Sequence, residues 1–319
     1  MSIIIYGEKE RSFQELLSAA KIIKEKIGDA IYAVVIGHNI SDLAEKVASL
    51  DIDGVYLFDD EQFRAFNPEI YFRALKMIID ETNANIVMLE SNYKTKILGG
   101  LLASTLNLGL IVDIVEISFE DGKILTKRPV YAGKALSTQI IEGNKAVMTL
   151  KPGIFSPTEF GGKKANIIKK SIDVADVKMS LIEFTPKVVV GEIPLEDAEV
   201  VIGAGRGVKK KEDLEMIKEL AKTLEGAWGV TRPLAADYGW APEWIGISGV
   251  SIKPKLYIAI GISGQPQHTS GIRGSKIIVA INKDPDAPIF KFADYGIIGD
   301  LYQILPELVK RLKEIKGEK

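Results

Sequence analysis

The side chains that could do chemistry sit in short polar stretches of the last third of this 319-residue chain. Gly203-Ala204-Gly205-Arg206-Gly207 sets one arginine among glycines, so bare backbone N–H groups and a guanidinium could approach one anion together. A tight turn between strand and helix accounts for the same residues. The stretch is not a dinucleotide fingerprint: Val208 stands where GxGxxG needs glycine. The following apolar run ends Ala227-Trp228-Gly229-Val230, without an acid to hold a ribose. Thr231-Arg232-Pro233 offers a second guanidinium, for which a surface ion pair is the alternative. His268 reads as a ligand donor or as a capping or packing residue. Asn282 reads as a turn residue or a ligand contact, and Asp300 as a helix cap, a ligand contact or both.

No nucleophile–base pair, metal cluster or paired-carboxylate spacing accompanies these groups. The chain has no cysteine, which excludes disulfides, thiol catalysis and thiolate metal sites, and only two histidines. His38 has no motif around it and reads as a loop residue. Lys209-Lys210-Lys211 reads as a solvated face. The 41 basic and 43 acidic residues give a net charge of −2, which points to no nucleic-acid or anionic-membrane partner. The longest apolar stretch, 97–112, is broken by Ser104, Thr105 and Asn107 and is too short to span a bilayer. The opening Ser2-Ile3-Ile4-Ile5-Tyr6 reads as a strand and leaves no room for a signal peptide. The expectation is a cytoplasmic protein without membrane insertion.

Two short β-branched runs, 256–260 and 277–281, must position the polar stretches. They read as buried parallel strands whose carboxyl ends carry the loops where open α/β sheets hold ligands. Upstream, strand-like runs at 3–5, 31–36, 54–58 and 86–89 alternate with helical spacing, which implies a doubly wound, mostly parallel α/β sheet. Ser12 with Glu15 has the form of a capping box, and Asn67-Pro68 that of a helix start. Between 112 and 150 the segments 112–119, 123–130, 137–142 and 146–150 follow closely. Asp121-Gly122 between two of them signals a hairpin, so an antiparallel addition to the sheet is expected. Segments 165–168 and 177–183 read as extended. Turn signals place a boundary near 187, giving domains 1–187 and 188–319. In the last helix Leu301, Leu305, Leu308 and Leu312 share a face. Asp300 caps it, with Gln303 at the reciprocal position, and Pro306 should kink it or mark where regularity resumes.

Ser263-Gly264 followed by Gln267-His268, Asn282-Lys283-Asp284-Pro285 leading to Ala287-Pro288-Ile289-Phe290, and Ala293-Asp294-Tyr295-Gly296 before Asp300-Leu301 form one nearly continuous pattern. It resembles the FAD-binding half of the electron-transfer flavoprotein α subunit, called FixB in nitrogen-fixing and anaerobic bacteria. The likeness runs over 199–310. In the first half it is carried by Arg128 with Tyr131-Ala132-Gly133 and by 95–113. It implies an α/β N-terminal domain contacting a β subunit and a C-terminal α/β FAD-binding domain with a parallel sheet.

The resemblance also implies roles for single residues. Thr231 and Arg232 match a Ser-Arg pair whose arginine lies beside the flavin ring, where a fixed cation favours the reduced, anionic forms. Ile245-Gly246-Ile247-Ser248-Gly249 matches a segment written VGQTG. Ser248 takes the place of the threonine that reaches flavin N5, and Ile247 replaces the glutamine, which removes one polar contact. Ser263, Gly264, Gln265, Pro266 and Gln267 form the loop approaching the cofactor chain, with Gln265-Pro266 where the family varies. His268 matches a histidine that donates to the flavin O2 carbonyl. Asn282 matches a contact on the adenosine side, and Asp300 and Leu301 match a pair that also touches FAD. Arg206 joins this cofactor set.

The implied function is that of an electron carrier rather than a substrate-converting enzyme. By resemblance, dehydrogenases of the acyl-CoA type donate electrons, and a quinone oxidoreductase or a ferredoxin-type acceptor takes them. The β subunit would hold AMP or, in electron-bifurcating members, a second FAD. The Thr-Arg-Pro and Gly-Trp of 231–240 are similar to the bifurcating or FixB-like members. The rivals are an NAD(P)-dependent oxidoreductase, a hydrolase using the N-terminal domain for a nucleotide, and an adenine-nucleotide-binding module without a redox role.

Overall fold

In the computed structural model, which describes residues 2–27, 30–159, 161, 164–183 and 193–317, the run Ser2–Tyr6 forms strand β1 with every residue buried. A strand buried on both faces needs helices above and below it. Ile3 and Ile5 pack with Phe13 and Leu17 of α1 (Glu10–Ile27) on one side. Ile4 packs on the other side with Leu75 of α3 (Pro68–Thr82) and Leu98 of α4 (Tyr93–Leu106). Strands β2 (Ala30–Gly37), β3 (Gly54–Asp59) and β4 (Ala84–Glu90), with α2 (Ser41–Ala48), complete the alternating run. Asn67 starts α3 as expected, its side chain accepting from the Glu69 and Ile70 N–H groups at 3.0 and 3.4 Å. Ser12 and Glu15 do not form a capping box. α1 begins at Glu10, and the Glu15 carboxylate instead accepts from Arg11 Nε at 2.9 Å and the Gly153 N–H at 2.5 Å.

The region 109–150 contains the expected antiparallel strands, but as a sheet of their own, and it corrects the reading of segment 146–150 as one of them. β5 (Gly109–Ile114) and β9 (Ala146–Leu150) lie parallel in the main sheet, which among the described residues has the order β10-β3-β2-β1-β4-β9-β5, with β10 at Ile167–Lys169. β6 (Glu116–Glu120), β7 (Lys123–Val130) and β8 (Ala135–Ile141) form a separate three-stranded antiparallel sheet inserted between them. Every residue of β9 is buried, the mark of a central parallel strand rather than of a half-exposed hairpin arm. The Asp121-Gly122 turn does join β6 to β7, with φ of +49° and +75°, as the twist of a two-residue hairpin requires. Segment 177–183 is not a strand.

The chain forms two compact units, Met1–Phe184 and Thr185–Lys319. The boundary expected near residue 187 lies outside the described residues. In the second unit β11 (Val200–Ala204), β12 (Ala227–Val230), β13 (Leu256–Ile260), β14 (Ile277–Asn282) and β15 (Tyr295–Ile298) make an all-parallel sheet of order β12-β11-β13-β14-β15. α5 (Leu214–Thr223) and α7 (Leu301–Lys316) cover Ile202 and Ile258 on one face. α6 (Pro266–Ile272) covers Val201, Tyr257 and Ala259 on the other. From β11 the chain goes outward to β12 and then returns to β13 on the opposite side. The direction of winding therefore switches between β11 and β13, and a crevice opens at their carboxyl ends. Asp300 caps α7 by accepting from the Tyr302 N–H at 2.9 Å, and Pro306 sits inside that helix without ending it.

Candidate cofactor site

The crevice between β11 and β13 holds a cavity of about 550 Å³, within the ~300–1,000 Å³ usual for ligand pockets. Its floor is glycine. A Cβ on Gly205 would lie 2.5 Å from the Gly261 carbonyl oxygen, and one on Gly207 2.6 Å from Gly261 Cα. Only bare backbone allows the loops after β11 and β13 to touch, which they do through a 2.9 Å bond from the Gly207 N–H to the Gly261 carbonyl. Gly264 has φ +85°, and its Cβ would meet the Ile289 nitrogen at 2.3 Å. Among the described residues, the N–H groups of Ser263, Gly264 and Gln265 have no backbone acceptor. These three residues line the cavity together with Arg206, Arg232 and Lys283. Both arginines are exposed, and among the described residues neither is ion-paired, so the surface-pair reading of Arg232 finds no partner. Asp284 is the carboxylate among the lining residues.

The opposite wall is 244–250. Ile245 donates to the Val230 carbonyl at 2.9 Å, Gly246 to Val250 at 3.0 Å and Ile247 to Gln267 at 2.8 Å. Gly246, at φ +155°, admits the Gln267 carbonyl within 2.9 Å of where a Cβ would stand. Ser248 lines the cavity, its hydroxyl accepting from Trp244 Nε1 at 3.3 Å. Thr231 is fastened to β11 through its N–H and the Ala204 carbonyl at 2.9 Å. Asn282 spends its amide within the protein. Its Nδ2 donates to Ile262 at 2.9 Å and its Oδ1 accepts from the Asp284 N–H at 3.1 Å, which holds the two loops together at the cavity rim.

His268 is buried, and both ring nitrogens are engaged. Nδ1 lies 3.0 Å from the Ile245 carbonyl, and Nε2 lies 2.9 Å from the Tyr257 hydroxyl. A carbonyl only accepts, so Nδ1 carries the proton; Nε2 of the neutral ring then accepts from Tyr257. Burial lowers the histidine pKa from the ordinary 6.5 to about 4, against an opposing pull from the Ile245 carbonyl. The expectation that this ring donates to a ligand carbonyl therefore meets an imidazole whose N–H is already committed to Ile245.

The cavity thus gathers Arg206, Thr231, Arg232, Ile245, Gly246, Ser248, Ser263, Gly264, Gln265, Gln267, His268 and Asn282 from the sequence-derived set. Ile247, Pro266, Asp300 and Leu301 do not line it. Ile247 is 55 % exposed, Pro266 opens α6, Asp300 is a cap, and Leu301 is buried beside Gly261 in the core. The structure adds Gly205, Gly207, Gly261, Trp244 and Lys283 to the walls. The glycines closing each strand were the sequence signal for three of these. For Trp244 there was no local signal.

Larger cavities, of about 730 and 790 Å³, lie elsewhere. Each is rimmed by self-paired surface charges, Lys313–Glu219 in the first and Arg64–Glu61 in the second. In the first unit the equivalent crevice, between β1 and β4, is filled by its own side chains. Glu8 takes Lys94 Nζ at 2.6 Å and Asn92 Nδ2 at 3.2 Å, and the adjoining cavity is about 10 Å³, room for little more than one water. A nucleotide held by that unit finds no space there.

A parallel sheet with a glycine-floored crevice, unpaired guanidinium groups and backbone N–H groups without backbone acceptors has the chemistry of a binding site for an anionic ligand. Residues 7–175 match the electron transfer flavoprotein domain, and residues 194–273 match the electron transfer flavoprotein FAD-binding domain. The electron transfer flavoprotein subunit alpha of Thermoanaerobacterium thermosaccharolyticum is 34 % identical over 309 residues, covering 95 % of this chain and 93 % of the relative. That of Bacillus subtilis is 34 % identical over 313 residues, covering 97 % and 95 %. Protein FixB of Azotobacter vinelandii is 32 % identical over 315 residues, covering 95 % and 87 %. The chain belongs to the electron transfer flavoprotein α-subunit family, FixB included. Among the described residues no helix is long and apolar enough to cross a membrane.

Proposed function

We propose that this chain is the FAD-carrying α subunit of a two-subunit electron carrier. The observation that carries the reading is the cavity between β11 and β13. It joins a floor that admits no Cβ to two unpaired guanidinium groups, inside the stretch that matches the FAD-binding domain. In this reading Arg206 and the N–H groups of Ser263, Gly264 and Gln265 hold the pyrophosphate, with Gln267 beside them. Thr231, Arg232 and Ser248 hold the isoalloxazine, and Asn282 stands on the adenosine side. Bound FAD supplies the redox chemistry, and the chain's own residues bind, orient and set its potential. Arg232 supplies fixed positive charge where the ring gains electrons. His268, neutral and committed on both nitrogens, shapes the wall.

The partner in this reading is a β subunit, carrying AMP or a second FAD. α4 supports a protein partner, because Tyr93, Ile97 and Leu101 recur every four residues on one exposed stripe, with Tyr93 72 % exposed. Electrons would arrive from acyl-CoA-type dehydrogenases and leave to a quinone oxidoreductase or a ferredoxin-type acceptor. Co-purification with the β subunit tests the reading. A yellow complex whose flavin bands bleach with dithionite is expected, and two flavins per pair would mark the bifurcating type. A colourless complex that takes up no added FAD overturns the proposal. Binding of NADH alone would favour an oxidoreductase, and of ATP alone a nucleotide-binding module.

A further inference from the structure

Tyr257 lies in the middle of β13, fully buried, and no sequence motif marks it. Its hydroxyl sits over Gly203 of the neighbouring strand so closely that a Cβ there would stand 1.9 Å from it. β11 thus gives up a side chain at Gly203, in the interior of a strand where glycine is normally unfavourable, and the space holds this one hydroxyl. Among the described residues the hydroxyl's hydrogen-bond partner is His268 Nε2, at 2.9 Å. The second ring nitrogen reaches the Ile245 carbonyl at 3.0 Å. The chain of contacts therefore runs from the sheet, through α6, to the wall that carries Ser248.

We propose that Tyr257 is a positioning residue of the cofactor cavity: by donating to His268 Nε2 it fixes the imidazole as the neutral, Nδ1-protonated tautomer, and through that ring it braces the Ile245–Ser248 wall against β13. Every polar atom of the brace is then satisfied once, with a donor facing an acceptor at each step. Removing the hydroxyl leaves a buried ring nitrogen without its partner, a costlier change than losing an exposed contact. Of the charged side chains lining the same cavity, Arg206, Arg232, Lys283 and Asp284, none ion-pairs with His268 among the described residues. The tautomer is thus set by the two hydrogen bonds. The consequence for flavin binding rests on the reading above, whereas the brace itself does not.

The chain has two histidines, so nitrogen NMR of the ¹⁵N-histidine-labelled full-length protein resolves both rings, with His38 as internal reference. For the wild type the expected result is a neutral His268 with its proton on Nδ1 and Nε2 accepting. A proton on Nε2 overturns the proposal without any variant being made. In Tyr257→Phe the Nε2 signal should move to that of a nitrogen without a donor, and exchange of the hydrogen-bonded backbone amides of Ile245, Gly246 and Ile247 should rise at least several-fold. Unchanged exchange there would show that Tyr257 only fills space. A double-mutant cycle with His268→Gln gives the remaining arm. The two stability losses should fall short of additive, and additivity overturns the coupling. A wild type with the expected tautomer that binds no FAD sinks the flavin assignment and leaves the brace standing.

Discussion

Replacing Gly264 by alanine probes the cavity floor most directly. The residue holds φ +85°, and its missing Cβ would lie 2.3 Å from the Ile289 nitrogen and 2.5 Å from Ile289 Cα, both rigid backbone. A left-handed conformation costs a residue with a side chain about 1–2 kcal/mol. Forcing a methyl group into closed packing adds roughly 1–3 kcal/mol, so the variant should lose about 2–5 kcal/mol of stability. Relief of the overlap must part loop 261–265 from the turn at Pro288–Lys291, where the Ile289 N–H donates to the Ser263 carbonyl at 3.0 Å. The same movement displaces the free N–H groups of Ser263, Gly264 and Gln265. Loss of one hydrogen bond to a charged ligand, about 1.5–3 kcal/mol, lowers FAD affinity roughly 10- to 150-fold. Gly239→Ala is the matched control: its φ is +66°, yet nothing lies within 4 Å of the added Cβ. It should show the conformational cost alone and unchanged FAD affinity. Thermal melts and fluorescence titrations with FAD, run on the wild type and both variants, separate the two effects. If Gly264→Ala melts no lower than Gly239→Ala and binds FAD as the wild type does, the floor is not built as argued.

Further outcomes follow from the same geometry. Arg232→Ala should lower the flavin reduction potential by on the order of tens of millivolts, and by less at high salt because the side chain is exposed; an unchanged potential in a redox titration removes Arg232 from the site. Asp300→Ala should cost about 1 kcal/mol of stability as a lost helix cap and leave FAD affinity unchanged, since Asp300 does not line the cavity; weakened FAD binding would restore it as a ligand contact. His268 gives an acid-sensitive stability. The unfolded chain takes up the histidine proton near the ordinary 6.5 and the folded one only near 4, so stability falls as pH drops through that window. The loss is about 3 kcal/mol at most, and His268→Gln should flatten it in melts between those two pH values.

The local signals that were legible in the sequence were those settled within a few residues. Asn67-Pro68 starts a helix because a side-chain oxygen and a missing N–H both suit the first turn. Asp121-Gly122 turns a hairpin because both can adopt positive φ. The runs that became β13 and β14 declare themselves as adjacent buried strands by their β-branched content. Glycines and arginines at strand ends marked most of the cavity for the same reason, because a strand's carboxyl end and its loop are contiguous in the chain.

What only the tertiary structure decided depends on segments far apart in sequence coming into register. Whether 146–150 joined a hairpin or the central sheet was set by the space between β4 and β5, not by its own residues. Ser12 and Glu15 match a cap pattern but lie inside a helix whose start is placed elsewhere. Gly203 looks like part of a phosphate loop, yet it is bare because the hydroxyl of Tyr257, 54 positions along the chain, occupies its side-chain space. His268 reads locally as a capping or packing residue or as a ligand donor, and its neighbours in sequence do not decide between them. The fold closes Tyr257 and Ile245 onto its two nitrogens, and a buried imidazole takes whatever partners the packing brings within hydrogen-bond distance.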